Sequence, residues 1–230
     1  GTQGGLVRYD GYTYRVFAHE PGNPHSLGGS YVRALLAASD GRIWVGTFSS
    51  GLSVYDPDTD AFQTWRHNRA NAASLTHDRV EGLAEDRMRR IWIATDAGLD
   101  RLDPQTGQID HFRHSAANAA SLADNQVRGL LVDRSGQLWV GTRDGLQRWL
   151  GDARFERVAS ARGTPGSLAG QLVAKLFEDS NGRLWIGTTE HGAAVLDRAS
   201  GSLRRLLPRA STTVSEYEIR RFLSSYPASA

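Results

Sequence analysis

The stretch Arg42-Ile43-Trp44-Val45-Gly46-Thr47, followed by Gly51-Leu52, returns three times along the chain. The later copies are centred on Trp92, Trp139 and Trp185, so successive tryptophans are 48, 47 and 46 residues apart. A bulky aromatic that recurs at one phase, with a period of about 20 to 50 residues, is the sequence signature of a repeat architecture. The repeat is therefore the strongest indication of the fold in this sequence.

Each repeat divides into four short stretches that are rich in valine, leucine and aromatic residues. In the first complete copy they cover residues 31–36, 42–47, 52–56 and 61–67, with Gly, Pro, Asp and Ser between them. Such stretches are typical of strands joined by tight hairpins. The longer segment that follows each fourth stretch indicates a crossover to a new sheet, which is the pattern of propeller blades. We therefore predict an all-β, propeller-type fold with four-stranded antiparallel blades repeating every 46–48 residues.

The period also predicts how the 230 residues are organised. We expect one repeat domain over residues 1–230 with four complete blades, at about 31–67, 79–114, 126–158 and 172–207. A fifth blade is predicted to be split between residues 1–19 and 217–230, where Ile219 falls 46 residues after Val173. The chain thus has the character of a fragment of a longer protein. Three arrangements stay open: a closed five-bladed ring, an open arc, or a ring completed by a second chain.

Composition argues against several functional classes. The chain has 27 basic and 25 acidic residues without a basic cluster, whereas a nucleic-acid-binding protein carries a clustered positive face. There is no cysteine, so neither disulfides nor cysteine-ligated metals can form. No apolar run approaches the roughly 20 residues of a membrane span. We therefore predict no nucleic-acid partner and no membrane segment in this chain.

The recurring hairpin also supports a family resemblance. Its pattern, Asp-x-x-Gly-x-(Leu/Ile)-Trp-(Val/Ile)-Gly-Thr followed by Gly-Leu, resembles the two-component regulator propeller repeat over essentially the whole chain. The resemblance implies a periplasmic or otherwise extracytoplasmic part of a longer sensor, ahead of a membrane segment and a kinase or diguanylate cyclase output domain. Departures from the pattern are Arg89, Ala94, Ala193 and Leu150. Because the family shares a scaffold and no general contact motif, the resemblance implies no binding residue.

The periodic aromatic and histidine residues have structural interpretations. The four tryptophans lie mid-strand among aliphatic residues, so we expect them to pack between blades. Trp65 falls in an outermost strand and is expected to be partly exposed. His19, His67 and His114 repeat at equivalent loop positions of successive blades, too far apart to share one metal ion. We therefore predict hydrogen bonds within the loops, and neither a metal site nor a cofactor.

The aspartates before the tryptophans also favour a structural role. Asp86, Asp133 and Asp179 each open the turn that precedes a tryptophan strand, where aspartate commonly accepts backbone hydrogen bonds. Glycine ends this turn in the other copies, whereas the second copy has Arg89. Because that position requires positive φ, we expect either strain or a different turn there.

A candidate ligand-binding surface follows from strand direction. The loop after each second strand and the crossover after each fourth strand emerge on one face, and the residues there differ from copy to copy. A constant scaffold with varied loops is how repeat proteins build binding surfaces, although unconstrained loops also vary. The predicted ligand-binding residues are Tyr31, Phe48, Arg79, Gln126, Arg143 and His191.

The function predicted from these features is non-catalytic, extracytoplasmic ligand sensing within a bacterial signalling protein. The partners would be a small molecule or glycan fragment and neighbouring domains of the same protein. One alternative is a structural module for protein interaction or dimerisation, with self-association through the incomplete blade. Another is a propeller lyase or carbohydrate-active enzyme, which would carry acid and base residues around a central channel.

Overall fold

The computed structural model describes residues 1–158, 167–198 and 201–206, and this part of the chain forms an all-β, propeller-type fold. Within these described residues, four sheets have four strands each, and one sheet has two strands. The predicted first strand within 217–230, which would complete the split blade, lies outside the described residues. Within those described ranges, no helix is long and apolar enough to cross a membrane.

The strands follow one another along the chain without exchange between sheets. The two-stranded sheet contains β1 (Leu6–Tyr9) and β2 (Tyr14–Phe17). The first four-stranded sheet contains β3 (Val32–Ala37), β4 (Ile43–Thr47), β5 (Leu52–Asp56) and β6 (Ala61–Trp65). The second contains β7 (Val80–Glu85), β8 (Ile91–Thr95), β9 (Gly98–Leu102) and β10 (Ile109–Phe112). The third contains β11 (Val127–Val132), β12 (Leu138–Thr142), β13 (Gly145–Gly151) and β14 (Arg154–Val158). The fourth contains β15 (Val173–Glu178), β16 (Leu184–Thr188), β17 (Ala193–Leu196) and β18 (Leu203–Arg205).

Every sheet is antiparallel, and each four-stranded sheet runs from an inner to an outer strand. The first strands of the four-stranded sheets contact one another in turn, β3 with β7, β7 with β11, and β11 with β15. They therefore surround an axis, and each tryptophan strand lies second from it. This arrangement confirms the predicted fold class and places four inner strands where their side chains can meet.

The hydrophobic core lies between the blades. Trp44, Trp92, Trp139 and Trp185 are 0%, 1%, 5% and 6% exposed, which confirms that they are packing residues. Trp44, for example, shares a buried cluster with Val80 of the next blade. Trp65 is only partly buried, as expected, and its ring lies 5.4 Å from that of Trp44. Burial of aromatic and aliphatic side chains between the sheets thus stabilises the packing of the blades.

The aspartates before the tryptophans fix both the turn and the indole. In the third blade, Asp133 Oδ1 accepts the backbone N–H groups of Ser135 and Gln137, which confirms its role as a turn acceptor. Its Oδ2 accepts the indole N–H of Trp139 at 2.8 Å. The other two aspartates bind their own tryptophans in the same way, Asp86 with Trp92 and Asp179 with Trp185.

The first blade lacks this aspartate, because Ala38 occupies the position. As a result, the buried indole nitrogen of Trp44 has no hydrogen-bond partner among the described residues. A buried N–H group without a partner costs about 1–3 kcal/mol. We therefore predict that Ala38→Asp raises the free energy of unfolding by about 1 kcal/mol.

Urea unfolding of the wild type and of Ala38→Asp, followed by tryptophan fluorescence, measures this gain. Ala38→Asn is the matched control, since it offers one carbonyl oxygen and no charge. A variant less stable than the wild type would show that the indole N–H is already satisfied.

The structure at Arg89 distinguishes strain from a different turn, the two expectations for the second copy. Its backbone N–H donates to the carbonyl of Asp86 at 2.9 Å, as Gly136 N–H donates to Asp133 in the next blade. The turn is therefore the same, and the expectation of a different turn is wrong. The φ of Arg89 is +61°, a region that costs a residue with a side chain about 1–2 kcal/mol, so the expected strain is present.

The periodic histidines bind their own loops. His19, His67 and His114 hydrogen-bond through Nδ1 to the carbonyl oxygens of Leu27, Leu75 and Leu122, at 2.9, 2.7 and 2.7 Å. Because a carbonyl can only accept, Nδ1 carries the proton in each case. The prediction that these histidines hold the crossover loops is confirmed.

Candidate functional site

Each inner strand carries a β-bulge at the same place. The register of pairing with the second strand shifts between Val32 and Ala34, and equivalently in the other three blades. A bulge adds an unpaired residue and redirects its side chain, and such bulges are common next to functional sites. The four bulge residues are Arg33, Glu81, Arg128 and Ala174.

Three of these residues form a charged group between neighbouring blades. Arg33 Nη2 lies 2.6 Å from Glu81 Oε2, and Arg128 forms a second ion pair with the same carboxylate. Arg79 Nε donates to Glu81 Oε1 at 2.5 Å. Asp96 lies on the outer side of this group, 3.3 Å from Arg79 Nη1 and 2.9 Å from Arg128 Nη2. We call these five residues the axial charge cluster.

Glu81 is the centre of the axial charge cluster, with a side chain that is only 6% exposed. Burial raises the pKa of its carboxyl, but the hydrogen bonds from Arg33 and Arg79 and the charge of Arg128 outweigh burial and lower it below its usual value. The group is therefore ionised at neutral pH. A buried carboxylate bound by three guanidinium groups links three blades electrostatically.

A cavity of about 400 Å³ lies along the axis beside this cluster. Its wall includes Arg33, Glu81 and Arg128, and on the fourth blade Lys175, next to the bulge residue Ala174. This volume is within the range of small-molecule sites, about 300–1,000 Å³. The bulges of three blades thus place charged side chains around one space, which Lys175 of the fourth blade also borders.

Three of the six predicted ligand-binding residues come together beside the axial charge cluster. The rings of Tyr31 and Phe48 stack with centroids 5.1 Å apart, and the guanidinium of Arg79 lies 4.6 Å from the centroid of Phe48. Both rings remain 36–37% exposed. Arg79 therefore connects an accessible aromatic surface to Glu81, and we call Tyr31, Phe48 and Arg79 the aromatic platform.

The other three predicted residues are not gathered into this group. Gln126 and Arg143 are neighbours through the backbone, where the Arg143 N–H donates to the Gln126 carbonyl at 3.0 Å. His191 is exposed, and its backbone N–H donates to Thr188 Oγ1 at 3.1 Å. A ligand-binding role for all six residues stays a prediction.

The prediction from sequence selected residues that lie two positions before the bulge residues. It selected the residues before the inner-strand valine, such as Tyr31 and Arg79, whereas Arg33 and Glu81 come directly after it. In a regular strand, residues two apart share a face. The available signal was a charged residue after the valine in three of four copies. Only the observed register shows that this position is bulged and points to the axis.

A second buried polar group lies away from the axis. Asp100 is fully buried and accepts hydrogen bonds from the Thr76 backbone N–H and hydroxyl, while His111 Nδ1 lies 2.7 Å from its Oδ1. Ser53 and Gln147 occupy the equivalent place in other blades and accept a crossover N–H in the same way. This shared contact indicates that the group anchors the crossover to the third strand, despite its likeness to a catalytic triad.

We predict a pH-dependent contribution of His111 to stability. Its hydrogen bond with Asp100 raises its pKa above 6.5. Stability from the protonated ring is therefore fully present below pH 6.5 and is lost as the pH rises through the folded-state pKa. The wild type should lose free energy of unfolding relative to His111→Gln as the pH rises above 6.5.

Urea unfolding at several pH values measures that difference. His25→Gln is the control, because His25 is exposed and lies outside this buried group. If the free energies of unfolding of the wild type and of His111→Gln changed with pH by the same amount, the prediction would be contradicted.

Within residues 1–158, 167–198 and 201–206, no three His, Asp or Glu side chains are grouped closely enough to hold a metal ion.

Comparisons with known proteins agree with this architecture. The chain is similar to the extracellular domain of the hybrid two component system BT3049 from B. thetaiotaomicron, at 23% identity and a TM-score of 0.72 over 88% of this chain and 27% of that chain. The corresponding domain of BT4673 from the same organism has 18% identity and a TM-score of 0.61 over 89% and 34%. A virginiamycin B lyase from Staphylococcus aureus, solved with quinupristin, has 14% identity and a TM-score of 0.55 over 76% and 54%.

These structural similarities establish the fold. The chain spans about a quarter to a third of the length of the two sensor domains. No curated protein matches in sequence. The family model of the two component regulator propeller matches residues 26–49, 121–144 and 167–190. The copy that contains Arg89 and Ala94 is not among these matches. Three segments of this chain thus match the two component regulator propeller repeat, in agreement with the resemblance found in the sequence.

Proposed function

We propose that this chain is a non-catalytic, extracytoplasmic ligand-sensing propeller within a larger bacterial signalling protein. The observation that carries the proposal is the axial cavity, which is bordered by residues of four blades and is linked to the aromatic platform through the contact of Arg79 with Glu81. A ligand there would contact several blades at once. It would therefore favour one packing of the blades over another, which is the requirement for a sensor.

The extracytoplasmic location and the signalling context rest on the family and on the fold. The family description names a two component regulator, and the similar solved domains are described as extracellular parts of such systems. Partners of the propeller would then include neighbouring domains of the same protein, to which a change in blade packing is passed on.

The charge arrangement at the axis does not favour catalysis. Glu81 and Asp96 are both paired with arginine, and Glu81 has a lowered pKa. A general acid must hold a proton near neutral pH, and a general base needs a free lone pair and a pKa close to the working pH. We therefore favour binding over a lyase or carbohydrate-active enzyme.

A thermal-shift screen with saccharides, nucleotides and short peptides tests the proposal. We expect at least one compound class to raise the melting temperature of the wild type and to lose most of its effect in Phe48→Ala. Tyr12→Ala is the matched control, since Tyr12 is 94% exposed in the turn between β1 and β2. The proposal is overturned if no class stabilises the protein, or if both variants respond like the wild type.

A second candidate function is self-association through the exposed face of the two-stranded sheet. Tyr9 and Tyr14 stack with centroids 4.5 Å apart on the two-stranded sheet, and they are 56% and 73% exposed beside the equally exposed Val16. An accessible apolar face of this kind is typical of interaction surfaces. Sedimentation velocity over a concentration series, with the wild type and with Tyr14→Ser, tests this self-association. Dimers that form in the wild type and are absent in the variant would favour this function.

A further inference from the structure

We infer that the axial cavity binds a compact dianion, such as a phosphate group or a small dicarboxylate, and that Lys175 is its main contact. This inference deepens the proposed function, on which it rests, by naming the chemical class of the ligand. It depends on the charges that the bulges bring to the axis.

The charges around the cavity do not balance. Arg33, Arg79 and Arg128 share the carboxylates of Glu81 and Asp96, so this part of the axis already has one more positive than negative charge. Lys175 adds a second excess charge from the fourth blade. Like charges around a space with low-dielectric walls raise the potential there and concentrate anions. Two negative charges on the ligand would neutralise the site.

Lys175 differs from the three arginines, each of which is paired with a carboxylate. Among the described residues, no hydrogen bond or ion pair involves its side chain, although it is only partly exposed. The neighbouring bulge residue is Ala174, where the other blades carry arginine or glutamate. The small alanine leaves space on this side of the cavity, and a flexible ammonium group can reach into it.

The arginines supply directional contacts as well as charge. Arg128 is 17% exposed and borders the cavity, and its guanidinium contacts Glu81 and Asp96. A guanidinium offers five N–H donors, so two carboxylate contacts leave donors for a ligand oxygen. Phosphate and carboxylate oxygens match this geometry. The cavity volume of about 400 Å³ accommodates an ion of this size together with water.

The single lysine of the chain provides a direct probe. Reductive methylation with ¹³C-formaldehyde labels Lys175 and retains its charge. We expect the Lys175 resonance to shift on titration with inorganic phosphate or with succinate at constant ionic strength, and not with glycerol. Comparison of the two titrations distinguishes a phosphate site from a dicarboxylate site. If the Lys175 resonance does not shift with either anion, the inference is overturned.

Calorimetric titration of variants gives the second test. Lys175→Gln should bind the preferred anion at least tenfold more weakly than the wild type. The matched control is Arg154→Gln, which removes one positive charge from an exposed position on β14 and should bind the anion like the wild type. Equal weakening in both variants would show that only net charge matters and would overturn the inference.

The outcome also separates this inference from the proposed function. If a neutral compound stabilises the protein through Phe48 while phosphate and succinate do not bind, the dianion site is wrong and ligand sensing stands. If no compound binds at all, both proposals fall.

Discussion

Gly141→Ala is expected to lower the free energy of unfolding by about 2–3 kcal/mol. A Cβ atom at Gly141, on the tryptophan strand of the third blade, would lie 2.6 Å from both the carbonyl oxygen and Cγ1 of Val173 in the next blade. The backbone oxygen cannot rotate away, so the fourth blade must move as a unit. The intrinsic preference of strands for alanine over glycine offsets only about 0.5–1 kcal/mol of this cost.

Urea unfolding followed by circular dichroism measures the effect. Gly4→Ala is the matched control, because the nearest atom to a Cβ at Gly4 is 3.9 Å away and its φ is ordinary. The second blade carries Ala94 at the same place in its repeat, so the constraint depends on the local approach of the next blade and not on the motif alone. A Gly141→Ala variant as stable as Gly4→Ala would show that the blade interface adapts freely.

Glu81→Gln is expected to lower the free energy of unfolding by about 2–4 kcal/mol, because it leaves Arg33, Arg79 and Arg128 around a neutral amide. Breaking a fully buried ion pair typically costs about 3–5 kcal/mol, and the partial exposure of the arginines reduces that figure. The lowered pKa of Glu81 means that its contribution is present above pH 4.5 and is lost as the pH falls through the folded-state value.

Urea unfolding at pH 7 and at lower pH measures the free energy of unfolding of Glu81→Gln and of the wild type. The difference between the two proteins should decrease as the pH falls. Glu156→Gln is the control, since the Glu156 carboxylate pairs with Arg148 on the surface, where such pairs contribute about 0–1 kcal/mol. A loss in Glu81→Gln no larger than in Glu156→Gln would contradict a central role for Glu81 in holding the blades together.

The repeat made the fold predictable. Tryptophan at one phase, glycine at the turns and histidine in the crossovers recur often enough that packing and loop roles could be assigned before the strands were seen. Those assignments were correct for Trp92 and His67, for example, because each role depends on neighbours that are close in sequence or repeated in every copy. At Arg89, strain or a different turn was expected for the same local reason, and the structure shows the strain.

The candidate site was only partly predictable, because its residues come from different blades. Tyr31, Phe48 and Arg79 were chosen separately, and their stacking appears only when the loops of neighbouring blades converge. Glu81 could not be singled out, since a charged residue in a strand ordinarily points to solvent. Its partners Arg33 and Arg128 lie 48 and 47 residues away in the chain.

The sequence by itself determined the period, the strand content and the residues that pack between blades, since these depend on hydrophobic pattern and turn chemistry. The tertiary structure alone decided which polar side chains meet at the axis. The physical reason is the β-bulge: one extra residue in each inner strand turns Arg33, Glu81 and Arg128 towards a common space, and no pattern of residue types reveals that shift in register.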